Sequence, residues 1–242
     1  MKNIRLFFFL LLIQLIPNIS FGQSKSLDDT LKKHNSFFIE DNFAIGMTRV
    51  NTNYTIFTND NNAFILKKNN YLPCLEWFTN FGWKLDNKYG AFDIIKLGIG
   101  ITSRSVNLID TSGIDLRFKE TYLQIPLHIG ATLPLKFKNG RTHSIEAIVG
   151  IYAATPISNR LDLKDNLDSP YSNDCFGKFI RYGESVELAY TSFVKKHHGI
   201  KLGLRFSTDF HSITKFSNTK YQIYPYYISY AFFLSIVNFK KI

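Results

Sequence analysis

Apolar and polar side chains alternate along residues 121–137, TYLQIPLHIGATLPLKF. The odd-numbered positions from Leu123 to Leu135 carry leucine or isoleucine, with the small Ala131 between them. The even-numbered positions carry polar, small or ring-shaped side chains, such as Gln124 and His128. Because successive side chains of a strand point to opposite faces, this alternation predicts a β-strand with one apolar face.

Seven further segments repeat this alternation between an apolar face and a mixed polar face. In the clearest of them, residues 199–210, leucine, isoleucine and phenylalanine occupy even positions, and lysine, glycine and arginine occupy odd positions. The other segments are residues 43–50, 74–85, 95–102, 144–151, 181–190 and 228–236. No apolar pattern of helical period runs for several turns, so the chain is predicted to contain eight strands.

The connections between these segments alternate in length along the chain. Long polar stretches follow the first, third, fifth and seventh segments, at residues 51–70, 106–118, 155–179 and 211–223, and short turns follow the others. One short turn contains Asn139-Gly140, a strong signal for a tight hairpin. Bacterial outer-membrane barrels have short periplasmic turns and longer external loops. We therefore predict an all-β fold, an eight-stranded antiparallel up-and-down transmembrane β-barrel whose apolar faces contact lipid.

The N-terminus has the three-part layout of a secretory signal peptide. Lys2 and Arg5 precede an apolar run at residues 6–16, and small residues stand just before a predicted cut. The apolar run is shorter than the roughly 20 residues that a membrane-spanning helix needs. We predict that residues 1–22 are removed on export and that residues 23–242 form one barrel domain in the bacterial outer membrane.

The alternation assigns charged side chains to the inward faces of the predicted strands. Both signs occur in similar number, and eight strands enclose an interior just wide enough for side chains to fill. Buried charges are tolerated when they are paired and hydrogen-bonded, so we predict a plugged lumen with a network of ion pairs; a narrow water-filled pore is the alternative. Glycines at other inward positions are expected to make room for the long charged side chains. The predicted network consists of Glu76, Lys84, Lys96, Arg104, Glu120, Glu146, Arg181, Glu187, Lys201, Arg205 and Asp209.

The formal net charge of +10 is not spread evenly along the chain. Basic side chains gather at the short-turn end, and we call the main group the basic rim: Lys136, Lys138, Arg141, Lys195 and Lys196. Attraction to anionic lipid headgroups explains such a rim, and a docking face for an acidic periplasmic protein or cell-wall polymer is the alternative. Nucleic acid is not expected as a partner in this compartment.

Candidate catalytic and metal-binding residues are scattered along the chain. His128, Ser144 and Glu146 show no spacing that predicts a nucleophile with its base and orienting acid. His197 and His198 are adjacent, so a regular strand directs them to opposite faces. The aspartates of the longest connection lack an EF-hand pattern. We therefore expect no enzymatic activity, no cofactor and no metal site.

Two stretches in the middle of the chain resemble the PorT-type family of outer-membrane β-barrels: YLQIPLHIG at residues 122–130 and EAIVGIYAA at residues 146–154. The signal ending FGQ and the eight strands fit the same family, and the resemblance covers essentially the whole mature chain. It implies an outer-membrane barrel without catalytic residues, and the founding member is associated with a bacterial secretion and gliding apparatus. Barrels of this kind often end on an aromatic residue, whereas this chain ends NFKKI, with Phe239 out of phase with the lipid-facing positions.

Two classes of function fit these features. In the first, the protein is an integral outer-membrane barrel of structural or interaction type, accessory to a protein secretion machine. Its partners would be outer-membrane lipid and a periplasmic or secretion-machine protein. In the second, it is a narrow channel or a barrel that binds a small solute. Conductance in planar bilayers separates the two classes.

Overall fold

The fold was analysed in a computed structural model, which describes residues 36–50, 55–57, 63–66, 71–85, 92–109, 113, 115–136, 142–163, 179–195, 198–214 and 226–241. The predicted signal peptide, residues 1–22, lies outside the described residues. No helix among the described residues is long and apolar enough to cross a membrane. The described strands are β1 (Ser36–Val50), β2 (Thr55–Phe57), β3 (Ala63–Leu66), β4 (Leu72–Lys84), β5 (Ile94–Ile109), β6 (Asp115–Lys136), β7 (Thr142–Leu163), β8 (Phe179–Lys195), β9 (His198–Thr214) and β10 (Tyr227–Lys241).

Eight of the described strands, all except the short β2 and β3, close into one antiparallel barrel. Each pairs with two neighbours, and β10 closes the ring by pairing with β1 over its whole length. Tracing the cross-strand partners once around the barrel, starting from Phe37 of β1, leads back to β1 at Met47. Neighbouring strands are therefore staggered and tilted, as barrel closure requires. The predicted eight-stranded antiparallel barrel is confirmed.

The barrel is apolar outside and polar inside. Outward side chains such as Trp77, Ile125 and Leu204 are 59%, 48% and 62% exposed. Inward side chains such as Lys96 and Glu187 are almost completely buried. This arrangement reverses that of a soluble protein and is the one found in transmembrane barrels, whose outward-facing band is apolar.

Connections that were predicted to be long loops are partly strand. β5 continues to Ile109 and β6 begins at Asp115, while β7 continues to Leu163. The prediction is therefore wrong for most of residues 106–118 and for the first part of residues 155–179. The strands continue because backbone pairing with a neighbour satisfies the peptide groups whatever the side chains are.

The extra strand length forms a wall beyond the lipid-facing band. A membrane-spanning strand needs about 9–11 residues, whereas β6 and β7 have 22 residues each. The first long connection adds to the wall, because β2 and β3 form a hairpin in which Ile65 pairs with Ile109 of β5. We call this extension the outer wall; it consists of β2, β3 and residues 103–109, 115–121 and 157–163.

β1 begins earlier than the alternation predicted. The pattern indicated a strand from residue 43, whereas β1 begins at Ser36. Three consecutive apolar residues, Phe37 to Ile39, hide the alternation at this end. The added length directs Glu40 into the lumen and leaves Asp41 exposed on the outer surface.

Inward glycines make room for aromatic rings. A Cβ atom on Gly183 would overlap the ring of Tyr152, and one on Gly203 would overlap the ring of Phe233. The expectation that these glycines accommodate long charged side chains is therefore wrong at both positions. The rings fill the space between charged groups.

Candidate functional site

Ten of the eleven side chains assigned to the lumen network lie buried inside the barrel, with exposed fractions of 0 to 6%. These ten are Glu76, Lys96, Arg104, Glu120, Glu146, Arg181, Glu187, Lys201, Arg205 and Asp209. Lys84 differs, because it ends β4 at the short-turn side and is half-buried. Its Nζ lies 3.8 Å from Oδ2 of Asp93.

Seven charged side chains in the half of the lumen nearer the short turns form one chain of alternating sign. We call them the inner cluster; in order of contact they are Glu146, Lys201, Glu40, Lys96, Glu187, Arg205 and Glu76. At one end, Nζ of Lys201 lies 2.7 Å from Oε2 of Glu146 and 2.8 Å from Oε2 of Glu40. Each cation of the cluster thus lies between two carboxylates.

Lys96 and Arg205 extend the inner cluster across the lumen. Nζ of Lys96 lies 3.5 Å from Oε2 of Glu40 and 2.9 Å from Oε2 of Glu187. Arg205 donates from Nε to Oε1 of Glu187 at 2.8 Å, and from Nη1 to Oε2 of Glu76 at 2.7 Å. Because six strands contribute to the cluster, these contacts join walls of the barrel that do not pair with each other.

A second group, the outer cluster, lies in the half of the lumen nearer the outer wall and contains Arg104, Glu120, Arg181 and Asp209. Arg181 bridges two carboxylates, with Nη1 3.0 Å from Oδ2 of Asp209 and Nη2 3.2 Å from Oε2 of Glu120. Nη1 of Arg104 lies 3.1 Å from Oδ1 of Asp209. Tyr227 donates its hydroxyl to Oε2 of Glu120 at 2.6 Å, and its ring centroid lies 5.1 Å from Cζ of Arg181. The planar guanidinium groups thus combine paired hydrogen bonds with ring contacts.

The alternating order of charges explains why so many ions can be buried together. Taking an ion out of water costs several kcal/mol, and only close partners of opposite sign with good geometry offset that cost. In both clusters every guanidinium and ammonium group contacts at least one carboxylate. Removing any one member takes an ion-pair contact from each of its partners.

Glu40 belongs to the inner cluster although the sequence analysis did not include it. Its carboxylate accepts hydrogen bonds from Nζ of Lys201 at 2.8 Å and from the hydroxyl of Ser235 at 3.1 Å. Extending the alternation of β1 backwards from Phe43 would have assigned Asn42 and Glu40 to the inward face. That extension is the sequence signal that could have found it.

A small cavity lies beside the inner cluster. It has a volume of about 10 Å³ and is lined by Gln124, His128, Ser185, Arg205 and Ser207, among others. Nε2 of His128 lies 2.9 Å from Oγ of Ser185 on its edge. A space of this size holds about one water molecule.

The residues weighed for catalysis do not meet. His128 contacts Ser185, whereas Ser144 is paired across the strands with Thr191. Glu146 is bound by Lys201. No group of three His, Cys, Asp or Glu side chains within the described blocks could hold a metal ion. His197 and most aspartates of the longest connection lie outside the described residues.

The basic rim is described only through its backbone. Lys136 ends β6 and Lys195 ends β8, so both lie at the short-turn end of the barrel. Their side chains, and the whole of Lys138, Arg141 and Lys196, lie outside the described residues. The position of the rim therefore follows from the strand ends.

No family model matches this sequence, and no curated protein sequence matches it. Among solved structures, the chain is similar to Neisserial surface protein A (NspA), with 8% identity over 84% of this chain and 96% of that chain, and a TM-score of 0.44. It is also similar to Ail, the attachment invasion locus protein of Yersinia pestis, in complex with the heparin analogue sucrose octasulfate. In that case identity is 8% over 85% of this chain and 99% of that chain, with a TM-score of 0.34. Likeness at this level concerns the fold alone, so we argue function from the residues of this chain.

Proposed function

We propose that this protein is an integral outer-membrane barrel that acts as a closed scaffold and works through contacts at its two ends. The apolar exterior fits residence in a bilayer, and the predicted signal peptide at residues 1–22 fits export. A barrel anchored in this way presents the outer wall with its loops on one side of the membrane and the basic rim on the other.

The observation that carries this proposal is the filled lumen. The inner cluster crosses the interior as an unbroken series of contacts from Glu146 on β7 to Glu76 on β4. A solute path would require buried ion pairs to separate, and breaking such a pair costs about 3–5 kcal/mol. A closed lumen leaves the ends of the barrel as its working surfaces.

Conductance in planar bilayers tests the closed lumen against the alternative of a narrow channel or a small-solute-binding barrel. We expect no single-channel currents from the folded wild-type protein. The double variant Lys96→Ala with Glu187→Ala removes one charge of each sign and should give measurable leak, which shows that the assay detects an opened lumen. Regular wild-type currents would favour the channel.

The finer part of the proposal is that the barrel is an accessory of a protein secretion machine. The resemblance of residues 122–130 and 146–154 to PorT-type barrels supports this role. The basic rim supports it as well, because clustered lysines attract an acidic periplasmic protein over roughly one Debye length, about 10 Å at 0.1 M salt. Anionic lipid headgroups compete for the same charges.

Substitution of the rim separates a protein partner from a lipid contact. Changing Lys136, Lys138, Lys195 and Lys196 to glutamine should lower recovery of the co-purified periplasmic partner severalfold, whereas the matched lysine-to-arginine variant should retain it. Shortening residues 164–178 tests the outer end separately. The lysine substitutions reach only the last residues of β6 and β8 and keep their backbone pairing, and the shortening removes no described strand residue, so folding should survive. Unchanged partner recovery after both the lysine-to-glutamine change and the shortening of residues 164–178 would refute the interaction role.

A further inference from the structure

Two basic side chains stand side by side on the outward face of the outer wall, just beyond the lipid-facing band. Lys119 on β6 lies directly opposite Arg160 on β7, and both side chains are exposed. Like charges that face each other on neighbouring strands destabilise a sheet, and an anion between them turns the repulsion into attraction. We call these two residues the Lys119–Arg160 pair.

A β-bulge in β7 brings Arg160 to this face. Below the bulge, even-numbered residues of β7 such as Tyr152 face the lumen. The register shifts beside Thr121, where Ile157 is the extra residue of β7. Beyond this point Asn159 is buried and Arg160 is exposed. Bulges can re-aim a side chain in this way, and without this one the guanidinium would point into the lumen.

The Lys119–Arg160 pair lies close to the depth of the lipid headgroups. Ile101 and Leu123 are cross-strand partners at the outer edge of the apolar band, and Ile101 is 41% exposed. Lys119 lies four residues farther out than Leu123 along β6, roughly 10 Å along the membrane normal for a strand of about 3.3 Å rise tilted by about 40°. The headgroup layer is about 5–8 Å thick, and long basic side chains can bend back to reach it.

A row of hydroxyl groups separates the pair from the apolar band. Thr121 lies between Ser103 of β5 and Ser158 of β7, and all three side chains belong to the outward face. In the next row out, Ser105 of β5 pairs with Lys119. Hydroxyl groups donate hydrogen bonds to phosphate oxygens, and basic groups add charge-assisted ones. Both kinds of donor therefore meet at one depth.

The acids of this face lie farther from the band. Across the described parts of β5, β6 and β7, the outward acids beyond the band are Asp162, which pairs with Arg117, and Asp115, which lies still farther out on β6. Nε of Arg117 donates to Oδ1 of Asn107 at 3.3 Å. An anion held at the membrane surface therefore meets the basic pair before it meets an acid.

We propose that the Lys119–Arg160 pair binds a phosphate-bearing lipid headgroup in the leaflet nearer the outer wall. The phosphate lies between the two cations, and its acyl chains lie against the apolar band below. The guanidinium supplies a planar fork that matches phosphate, and the ammonium supplies a point charge. This inference rests on the proposed residence in a bilayer and gives the outer end of the barrel a lipid partner of its own.

Quenching of a local tryptophan by brominated lipids tests the proposal. Trp77 and Trp83 are changed to phenylalanine, and Ile157→Trp places a reporter beside the pair. In phosphatidylcholine vesicles, brominated phosphatidic acid should quench this reporter with an affinity roughly fivefold or more above that of brominated phosphatidylcholine. Lys119→Gln combined with Arg160→Gln should abolish the preference. Each protein should keep the gel mobility shift on boiling that marks a folded barrel.

Two controls show whether the effect is local. A protein that keeps Trp83 at the short-turn end and carries Trp77→Phe reports on the other side of the membrane, so its quenching should not respond to Lys119→Gln with Arg160→Gln. Arg117→Gln removes a charge of the same face that lies farther out, and the preference at the Ile157→Trp reporter should fall by less than about twofold, against about fivefold per charge near the surface.

Three outcomes would count against the inference or its premise. Equal affinities for the two brominated lipids at the Ile157→Trp reporter, or a preference that survives the double change, would overturn it. Dextran sulfate that bound through the pair while phosphatidic acid did not would assign the site to a soluble polyanion and overturn it as well. Absence of quenching by either lipid would instead refute the proposed residence in a bilayer.

Discussion

Arg205 and Glu187 face each other across β9 and β8, and Nε of the guanidinium lies 2.8 Å from Oε1 of the carboxylate. The same guanidinium reaches Oε2 of Glu76 on β4 at 2.7 Å. β4 and β9 are not neighbours in the barrel. Arg205 therefore links two sides of the lumen, and its loss breaks contacts to two buried carboxylates at once.

Replacement of Arg205 should be strongly destabilising. Arg205→Leu leaves Glu187 and Glu76 short of positive charge in a buried site, and we expect a loss of about 3–5 kcal/mol in the free energy of unfolding. Arg205→Lys keeps the charge but loses one contact, so its loss should be smaller. Urea-induced unfolding in lipid vesicles measures both.

The adjacent Leu204 provides the comparison for the outer face. Leu204→Arg places a charge in lipid and should cost about 2–4 kcal/mol near the middle of the bilayer. If Arg205→Leu were neutral and Leu204→Arg stabilised the barrel, the assignment of inner and outer faces would be reversed.

Neutralising the neighbouring acids Glu40 and Asp41 should have opposite effects on the stability of the barrel. Glu40→Gln weakens the charge-assisted hydrogen bond from the buried Lys201, worth about 1.5–3 kcal/mol, and the ion pair with Lys96. Asp41→Asn removes a charge from the apolar exterior and should leave the stability of the isolated barrel unchanged or raised. Unfolding in detergent micelles compares the stabilities of the two variants. Equal losses for both variants would contradict the opposite facing of the two side chains.

Gly183 should not tolerate a side chain. A Cβ atom there overlaps the ring of Tyr152, which is 3% exposed and fills the lumen beside the outer cluster. We expect Gly183→Ala to cost about 1–3 kcal/mol by overpacking. Gly199→Ala, whose Cβ atom would lie 3.2 Å from a methyl group of Thr191, should cost less. Combining Gly183→Ala with Tyr152→Ala should recover part of the stability that Tyr152→Ala alone loses. If the losses of the two single variants were fully additive, the overlap would be excluded.

Membrane residence can be measured directly. Because the outward face is apolar on all eight barrel strands, the mature chain should stay in the pellet when membranes are extracted with alkaline carbonate. The folded barrel should also migrate differently on gels before and after boiling. Release into the supernatant together with identical migration would show that the apolar face does not contact lipid.

The sequence by itself determined the faces of the strands. The alternation at Leu123 to Leu135 has a period of two residues, so any strand made from this segment must place its leucines on one side and Gln124 and His128 on the other. The same reasoning directed Lys96 and Glu187 into the lumen. A barrel follows because eight such strands can hide every polar face only by closing on themselves.

The sequence was less informative about where strands end. Outside the lipid-facing band, pairing of the backbone no longer depends on apolar side chains, so the strand residues Arg117 and Lys119 gave no sign of the outer wall. At the other end, the run from Phe37 to Ile39 concealed the start of β1 and with it Glu40.

Only the tertiary structure decided which charges touch. Lys201 binds Glu40 across a separation of 161 residues, and the ring of Tyr152 fills the space in front of Gly183. Lys84 is in phase with the inward residues, but it lies at the short-turn end of the barrel beside Asp93. Such partners are set by the stagger of the strands and the narrow width of the lumen. Both are properties of the closed ring, and no local pattern of residues specifies them.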